Sequence, residues 1–270
     1  MSGECASGRA KVRARDIVGA KGSRRLVMVT AYDYPSALAV DRAGVDMILV
    51  GDSLGMVVLG LDSTLQVTLE DMVRHTSAVA RARPCALLVA DMPFMSYEPS
   101  VSRAVESAGV LVRAGAEAVK LEGGSEYADR IRAIVNAGIP VVGHIGLTPQ
   151  RMHRLSGYRR QGKTEEEVKR LLEDARSVEE AGAIALVIEY TKADAAKRIT
   201  EEVGIPTICI GSGPHCDGQV LVLHDIIGFS TFTPPFAKRY ADVFNVIVEA
   251  VSRFTSEVRR GVFPEPHHYK

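Results

Sequence analysis

Arg113-Ala114-Gly115-Ala116-Glu117-Ala118-Val119-Lys120-Leu121-Glu122 holds the fold in miniature. A helix-patterned stretch, Ser100–Ala114, closes at Ala114-Gly115, and an apolar strand, Ala118–Leu121, follows directly. Glycine there can take the left-handed conformation that ends a helix, and alanine lets the helix lie close against a sheet. The same junction recurs at Ala43-Gly44, Ala137-Gly138 and Ala181-Gly182. Each time it separates a helical pattern from the next apolar run.

Working outward, eight such runs appear: Leu26–Thr30, Met47–Val50, Ala86–Ala90, Ala118–Leu121, Pro140–Gly143, Ala185–Ile188, Thr207–Ile210 and Val220–Leu223. They are continuously hydrophobic rather than alternating, as strands covered on both faces are. Helical patterns fill the gaps at Tyr34–Ala43, Thr68–Ala82, Ser100–Ala114, Ser125–Ala137, Thr164–Ala181 and Asp194–Val203. Thr164-Glu165-Glu166-Glu167 has the form of a capping box. Strand and helix alternating along the chain predict parallel pairing with crossovers. The expectation is an α/β protein, a single-domain (β/α)8 (TIM) barrel over residues 26–270, with an open doubly wound sheet as the rival. Only Gly211–Gln219 separates the last two strands, too short for a crossover helix.

Composition bounds the function. With 33 basic and 33 acidic residues the formal charge is zero, which argues against a nucleic-acid or anionic-membrane binder. Aromatic content of 6% without tryptophan gives no base-stacking platform. No apolar run nears the roughly 18 residues needed to span a bilayer. A cytoplasmic protein with neither nucleic-acid nor membrane partners is therefore expected. Residues 1–25 are read as a basic tail with a surface helix around Val12–Val18. Cys5, Cys85, Cys209 and Cys216 form no CxxC pair, so disulfides are not expected, and Cys85 and Cys209 are read as small buried hydrophobes.

The chemistry collects where the strands end. Thr30-Ala31-Tyr32-Asp33, Gly51-Asp52-Ser53, Asp91, Lys120 with Glu122, His144, Glu189, Gly211-Ser212-Gly213 and His224-Asp225 follow successive strands. In a barrel those ends share one face, where active sites form. Asp52, Asp91 and Glu122 are hard oxygen donors without cysteine or paired histidine beside them, a set suited to Mg²⁺ or Mn²⁺. Carboxylates at strand ends also cap helices or pair with Lys and Arg; here three coincide. Lys120 and Glu122, two apart on a strand, point to one face. Lys120 can bind a substrate carboxylate, offset enolate charge or simply pair with an acid. Glu189, after an apolar run, has the setting of a general base, and equally of a partner for a base in the next helix. Gly51-Asp52-Ser53-Leu54 spells a serine-hydrolase tetrapeptide, but the Asp-x-x-His pair such enzymes need is absent.

Five motifs resemble the ketopantoate hydroxymethyltransferase family: Val29-Thr30-Ala31-Tyr32-Asp33, Val50-Gly51-Asp52-Ser53-Leu54-Gly55-Met56, Ala90-Asp91-Met92-Pro93-Phe94, Val119-Lys120-Leu121-Glu122-Gly123-Gly124 and Gly143-His144-Ile145-Gly146-Leu147-Thr148-Pro149-Gln150. Gly211-Ser212-Gly213, Asp217–Leu221 and Gly261-Val262-Phe263-Pro264 extend the likeness from about Leu26 to the C-terminus. The resemblance implies a barrel that assembles as a homodecamer and binds one Mg²⁺ per subunit. It implies transfer of the one-carbon unit of 5,10-methylenetetrahydrofolate, or a related tetrahydropterin, to 3-methyl-2-oxobutanoate through a Mg²⁺-stabilised enolate, giving 2-dehydropantoate for coenzyme A synthesis. Carried over by position, Asp52, Asp91 and Glu122 are the metal ligands and Glu189 the proton acceptor. Asp52, Ser53, Asp91, Lys120, His144 and Ser212 are the substrate contacts. The rivals are a phosphoenolpyruvate-mutase-type lyase, whose Cys-containing lid motif is missing here, a serine hydrolase, and a non-catalytic scaffold.

Overall fold

Side chains alternate between the inside and outside of a strand, and in this chain the inside positions carry the layering. The computed structural model describes residues 5, 8–154, 157–230 and 232–269. Eight strands, β1 (Leu26–Thr30), β2 (Met47–Val50), β3 (Leu87–Asp91), β4 (Ala118–Glu122), β5 (Val141–Gly146), β6 (Ala185–Glu189), β7 (Thr207–Ile210) and β8 (Gly218–Leu221), pair in chain order into a closed barrel. Every pairing is parallel, and β8 returns to β1. The lower interior is apolar, with Leu26, Met28, Met47, Leu49, Leu87, Val89, Ala118, Val142, Ala185, Val187, Ile208 and Val220 in one cluster. One step further along the same inward-facing rows, Val89 gives way to Asp91, Ala118 to Lys120, Val142 to His144 and Val187 to Glu189. The polar layer thus sits on an apolar floor at the C-terminal mouth.

Glycine is in the left-handed region at all four Ala-Gly junctions. At Gly115 a Cβ would also come within 2.4 Å of the Ala80 Cβ, so the junction demands glycine for space as well as conformation. Thr164 caps the helix Glu165–Glu180 by accepting from Glu167 N, while the Glu167 carboxylate reaches Lys163 N instead of completing the box. The β7–β8 connection carries no helix, as its length requires.

Two expectations are corrected. The basic segment does not hang free: its helix, Ala14–Val18, inserts the fully buried Ile17 into the barrel cluster. Four of its cations pair with acids of the barrel unit, Arg9 with Asp41, Lys11 with Glu117, Lys21 with Asp217 and Arg24 with Asp46. Residues 1–4, 6 and 7 of that segment lie outside the described residues. The cysteines, expected to be unbridged, form two disulfides, Cys5–Cys85 and Cys209–Cys216. Docking of the N-terminal segment brings Cys5 to Cys85 across 80 residues of chain, with Cα atoms 5.1 Å apart. That is within the span a disulfide bridges. Cys85 and Cys209 are buried as expected, but bonded.

Contacts divide the chain after Val222 into two units, the first carrying the whole barrel. Within the second, the helix Val243–Arg259 bears an exposed apolar row of Phe244, Ile247, Val251, Phe254 and Val258. No described helix is long and apolar enough to cross a membrane.

Candidate active site

Strand register decides which charges meet. Asp91 lies beside Lys120 across β3 and β4, and Glu122 beside His144 across β4 and β5. The Lys120 ammonium stands 2.9 Å from Asp91 Oδ1 and donates to His144 Nδ1 at 3.3 Å. With Nδ1 accepting, the imidazole proton belongs on Nε2, which lies 3.2 Å from Glu189 Oε2. His144 Nδ1 is also 3.6 Å from Glu122 Oε1. Asp52, at the exit of β2, receives the Gln150 side-chain amide on Oδ2 at 2.8 Å, and its backbone N–H donates to Asp91 Oδ2 at 3.0 Å. Asp52, Asp91, Lys120, Glu122 and His144 are all buried; Glu189 keeps 17% of its side chain open.

Four carboxylates around one ammonium strain each other's ionisation. Burial, then the Asp91 charge, pushes Asp52 up, with Lys120 and the Gln150 hydrogen bond only partly offsetting them. Burial and the Asp52 charge hold Glu122 well above the usual carboxylate range. Burial raises Glu189 to about 7, with Lys120 pulling the other way. For Lys120 burial works downward, but Asp91, Glu122 and Asp52 outweigh it and hold the ammonium charged. Burial and the neighbouring Lys120 drive His144 well below its ordinary value, so it is neutral. The site is a base near neutrality facing a permanently charged lysine across a neutral histidine.

The donor set fits a divalent cation. No three His, Cys, Asp or Glu side chains among the described residues are drawn tightly enough to cage an ion by themselves. Magnesium needs no such cage, because it keeps several waters and uses one or two carboxylates. Asp91 Oδ1 is buried against the Lys120 ammonium, and four carboxylates share that one ammonium. Each feature favours an added positive charge.

The remaining expected residues separate. Ser53 joins the rim, its Oγ 2.8 Å from the Tyr32 hydroxyl, which is a different partner from the histidine that a serine nucleophile requires. Ser212 is bound to backbone: its hydroxyl donates to Ile188 O at 2.9 Å and accepts from Thr191 N. His224 and Asp225 belong to the second unit. Tyr32, Tyr97 and Gln150 also reach the site, through Ser53, Glu122 O and Asp52; as neutral side chains they carry no charge signal in the sequence.

The family model for ketopantoate hydroxymethyltransferase matches residues 11–266. The chain belongs to the ketopantoate hydroxymethyltransferase family. It is 64% identical over 260 residues to the 3-methyl-2-oxobutanoate hydroxymethyltransferase of Ignicoccus hospitalis, covering 96% of this chain and 99% of that one. The enzyme of the same name from Aeropyrum pernix is 63% identical over 258 residues, with 96% and 94% covered. Among solved structures, 2,3-dimethylmalate lyase superposes with a TM-score of 0.58 at 19% identity, covering 95% of this chain and 91% of that chain. Phosphonopyruvate hydrolase superposes at 0.62 and 14% identity, with 97% and 92% covered. At such identities these two likenesses establish the barrel fold and nothing further, so the ketopantoate hydroxymethyltransferase assignment rests on the sequence relatives.

Proposed function

We propose that this hydroxymethyltransferase converts 3-methyl-2-oxobutanoate to 2-dehydropantoate with 5,10-methylenetetrahydrofolate or a related tetrahydropterin as donor, on the route to coenzyme A. The observation that carries the reading is Glu189, a carboxylate poised near neutrality, set across His144 from Lys120 in a chain of this family. Asp52, Asp91 and Glu122 would hold Mg²⁺, which when bound supplies Lewis-acid polarisation of a 2-oxo acid. Lys120 sets a positive charge where the substrate carboxylate and the developing enolate need it. Glu189 takes the proton from C3. The carbanion carbon then bonds to the donor's methylene carbon as one of that carbon's two C–N bonds breaks, water supplies the hydroxyl as the second breaks, and the two nitrogens leave with those electron pairs and take up the C3 proton and the water's remaining proton. Ser53 and the neutral His144 line the same pocket as hydrogen-bond partners, while the buried lower layers keep water from the proton acceptor's back.

A cytoplasmic location and a homodecamer belong to the same proposal. The exposed apolar row Phe244–Val258 supports association, since monomers seldom leave such a surface in water. Disulfides occur in oxidising compartments and also inside hyperthermophilic archaea, so the two bridges do not set the compartment.

Proton NMR of 3-methyl-2-oxobutanoate in D₂O with protein and Mg²⁺ tests the chemistry directly. Enzyme- and Mg²⁺-dependent loss of the C3–H signal is expected. Its absence, with and without a tetrahydropterin present, would reject the proton abstraction.

A further inference from the structure

Gln150 touches both outer carboxylates of the cluster at once. It sits 3% exposed in the turn Pro149–Arg151 that follows β5. Its Nε2 donates to Asp52 Oδ2 at 2.8 Å and to Met92 O at 3.0 Å. Its backbone N–H donates to Glu122 Oε2 at 3.0 Å. The amide orientation is forced, because a carboxylate and a carbonyl both need a donor, and only the NH₂ end supplies two. Its Oε1 then faces the Tyr97 hydroxyl at 2.9 Å, and Tyr97 also stands 3.0 Å from Glu122 O. The side chain is held on three sides and ties together the ends of β2, β3 and β4.

One oxygen of Asp52 and one of Glu122 are thereby spent on the protein. Asp52 Oδ1 and Glu122 Oε1 receive no hydrogen bond from it. Resting on the metal reading above, we infer that Gln150 is a positioning residue that restricts both carboxylates to one-oxygen ligation and so selects a small octahedral cation over calcium. Magnesium accepts monodentate carboxylates and retained waters, whereas calcium gains from two-oxygen carboxylate ligation and higher coordination. An apolar residue at 150 frees Asp52 Oδ2, and the carboxylate can then swing to offer both oxygens.

Calorimetric titration of the full-length protein with Mg²⁺ and, separately, Ca²⁺ tests this, using wild type, Gln150→Met and Tyr97→Phe. Gln150→Met keeps the side-chain length and the backbone donation to Glu122. Removing an outer-shell partner typically weakens metal affinity about 10–100-fold. For Gln150→Met, Mg²⁺ binding is expected to weaken by that factor while Ca²⁺ binding holds or tightens. Tyr97→Phe leaves the amide in place but loosens it, and a shift of a few-fold in the same direction is expected; this variant decides the matter if Gln150→Met does not fold. Equal change for both ions, or no change, in the folded variants overturns the inference. A wild-type protein that binds neither ion rejects the metal reading itself.

Discussion

The Nε2 of His144 stands 3.2 Å from the Glu189 carboxylate while its Nδ1 accepts from Lys120. A neutral imidazole therefore separates the strongest cation of the site from its best base. Without that spacer Lys120 would hold the Glu189 carboxyl lower and make it a poorer proton acceptor. Glu189→Gln is expected to lower kcat by about 10²–10⁴. Mg²⁺ affinity, measured by calorimetry, should stay within a few-fold of wild type.

The pH profile follows from the same group. Glu189 acts in its ionised form, and burial has raised it to about 7. The rate of C3–H exchange should therefore climb as pH rises through 7 and level off above it. Exchange rates measured between pH 5 and 9 check this.

Stability should run the other way. The folded value of about 7 exceeds the ordinary 4.5, so folding favours the protonated form. That contribution is complete below 4.5 and is lost as pH rises through 7. Between those limits the metal-free protein should lose melting temperature with increasing pH, and Glu189→Gln should flatten the slope. Thermal melts of both proteins across that window provide the comparison.

Lys120→Met removes the ammonium that pairs with Asp91 inside this carboxylate cluster. Breaking a buried ion pair by deleting one partner costs about 3–5 kcal/mol. Urea unfolding should show a loss of that order, and added Mg²⁺ should return part of it. Recovery by Mg²⁺ distinguishes a charge deficit from a packing defect.

Ser212→Ala is expected to act on the scaffold. The hydroxyl accepts from the buried Thr191 N–H and lies against Ile188 O, immediately before Glu189. Leaving that donor unsatisfied costs about 1–3 kcal/mol. A fall in Tm with an unchanged KM for the 2-oxo acid is the expected pattern.

The barrel was legible because strands covered on both faces are written as continuous apolar runs. Boundaries moved where the chemistry begins: β3 extends to Asp91, β5 to Gly146 and β6 to Glu189, since a polar residue facing the barrel mouth keeps its backbone in the ladder. The charged half of the site was legible for the same reason, as ionised groups after apolar runs stand out. Gln150 and Tyr97 did not, because neutral hydrogen-bonding side chains resemble ordinary turn residues until their partners are known. The backbone hydrogen bonds of Ser212, from Thr191 N and to Ile188 O, join segments about 20 residues apart and so left no local signal. The Cys5–Cys85 bridge depends on where a terminal segment docks, which no local pattern encodes.

Ile17 packs with Ala20, Leu26 and Met28 into the apolar cluster that underlies the charged layer. The chain's first helix is therefore part of the barrel's foundation: a segment that precedes every strand supplies a stone that all eight of them rest on.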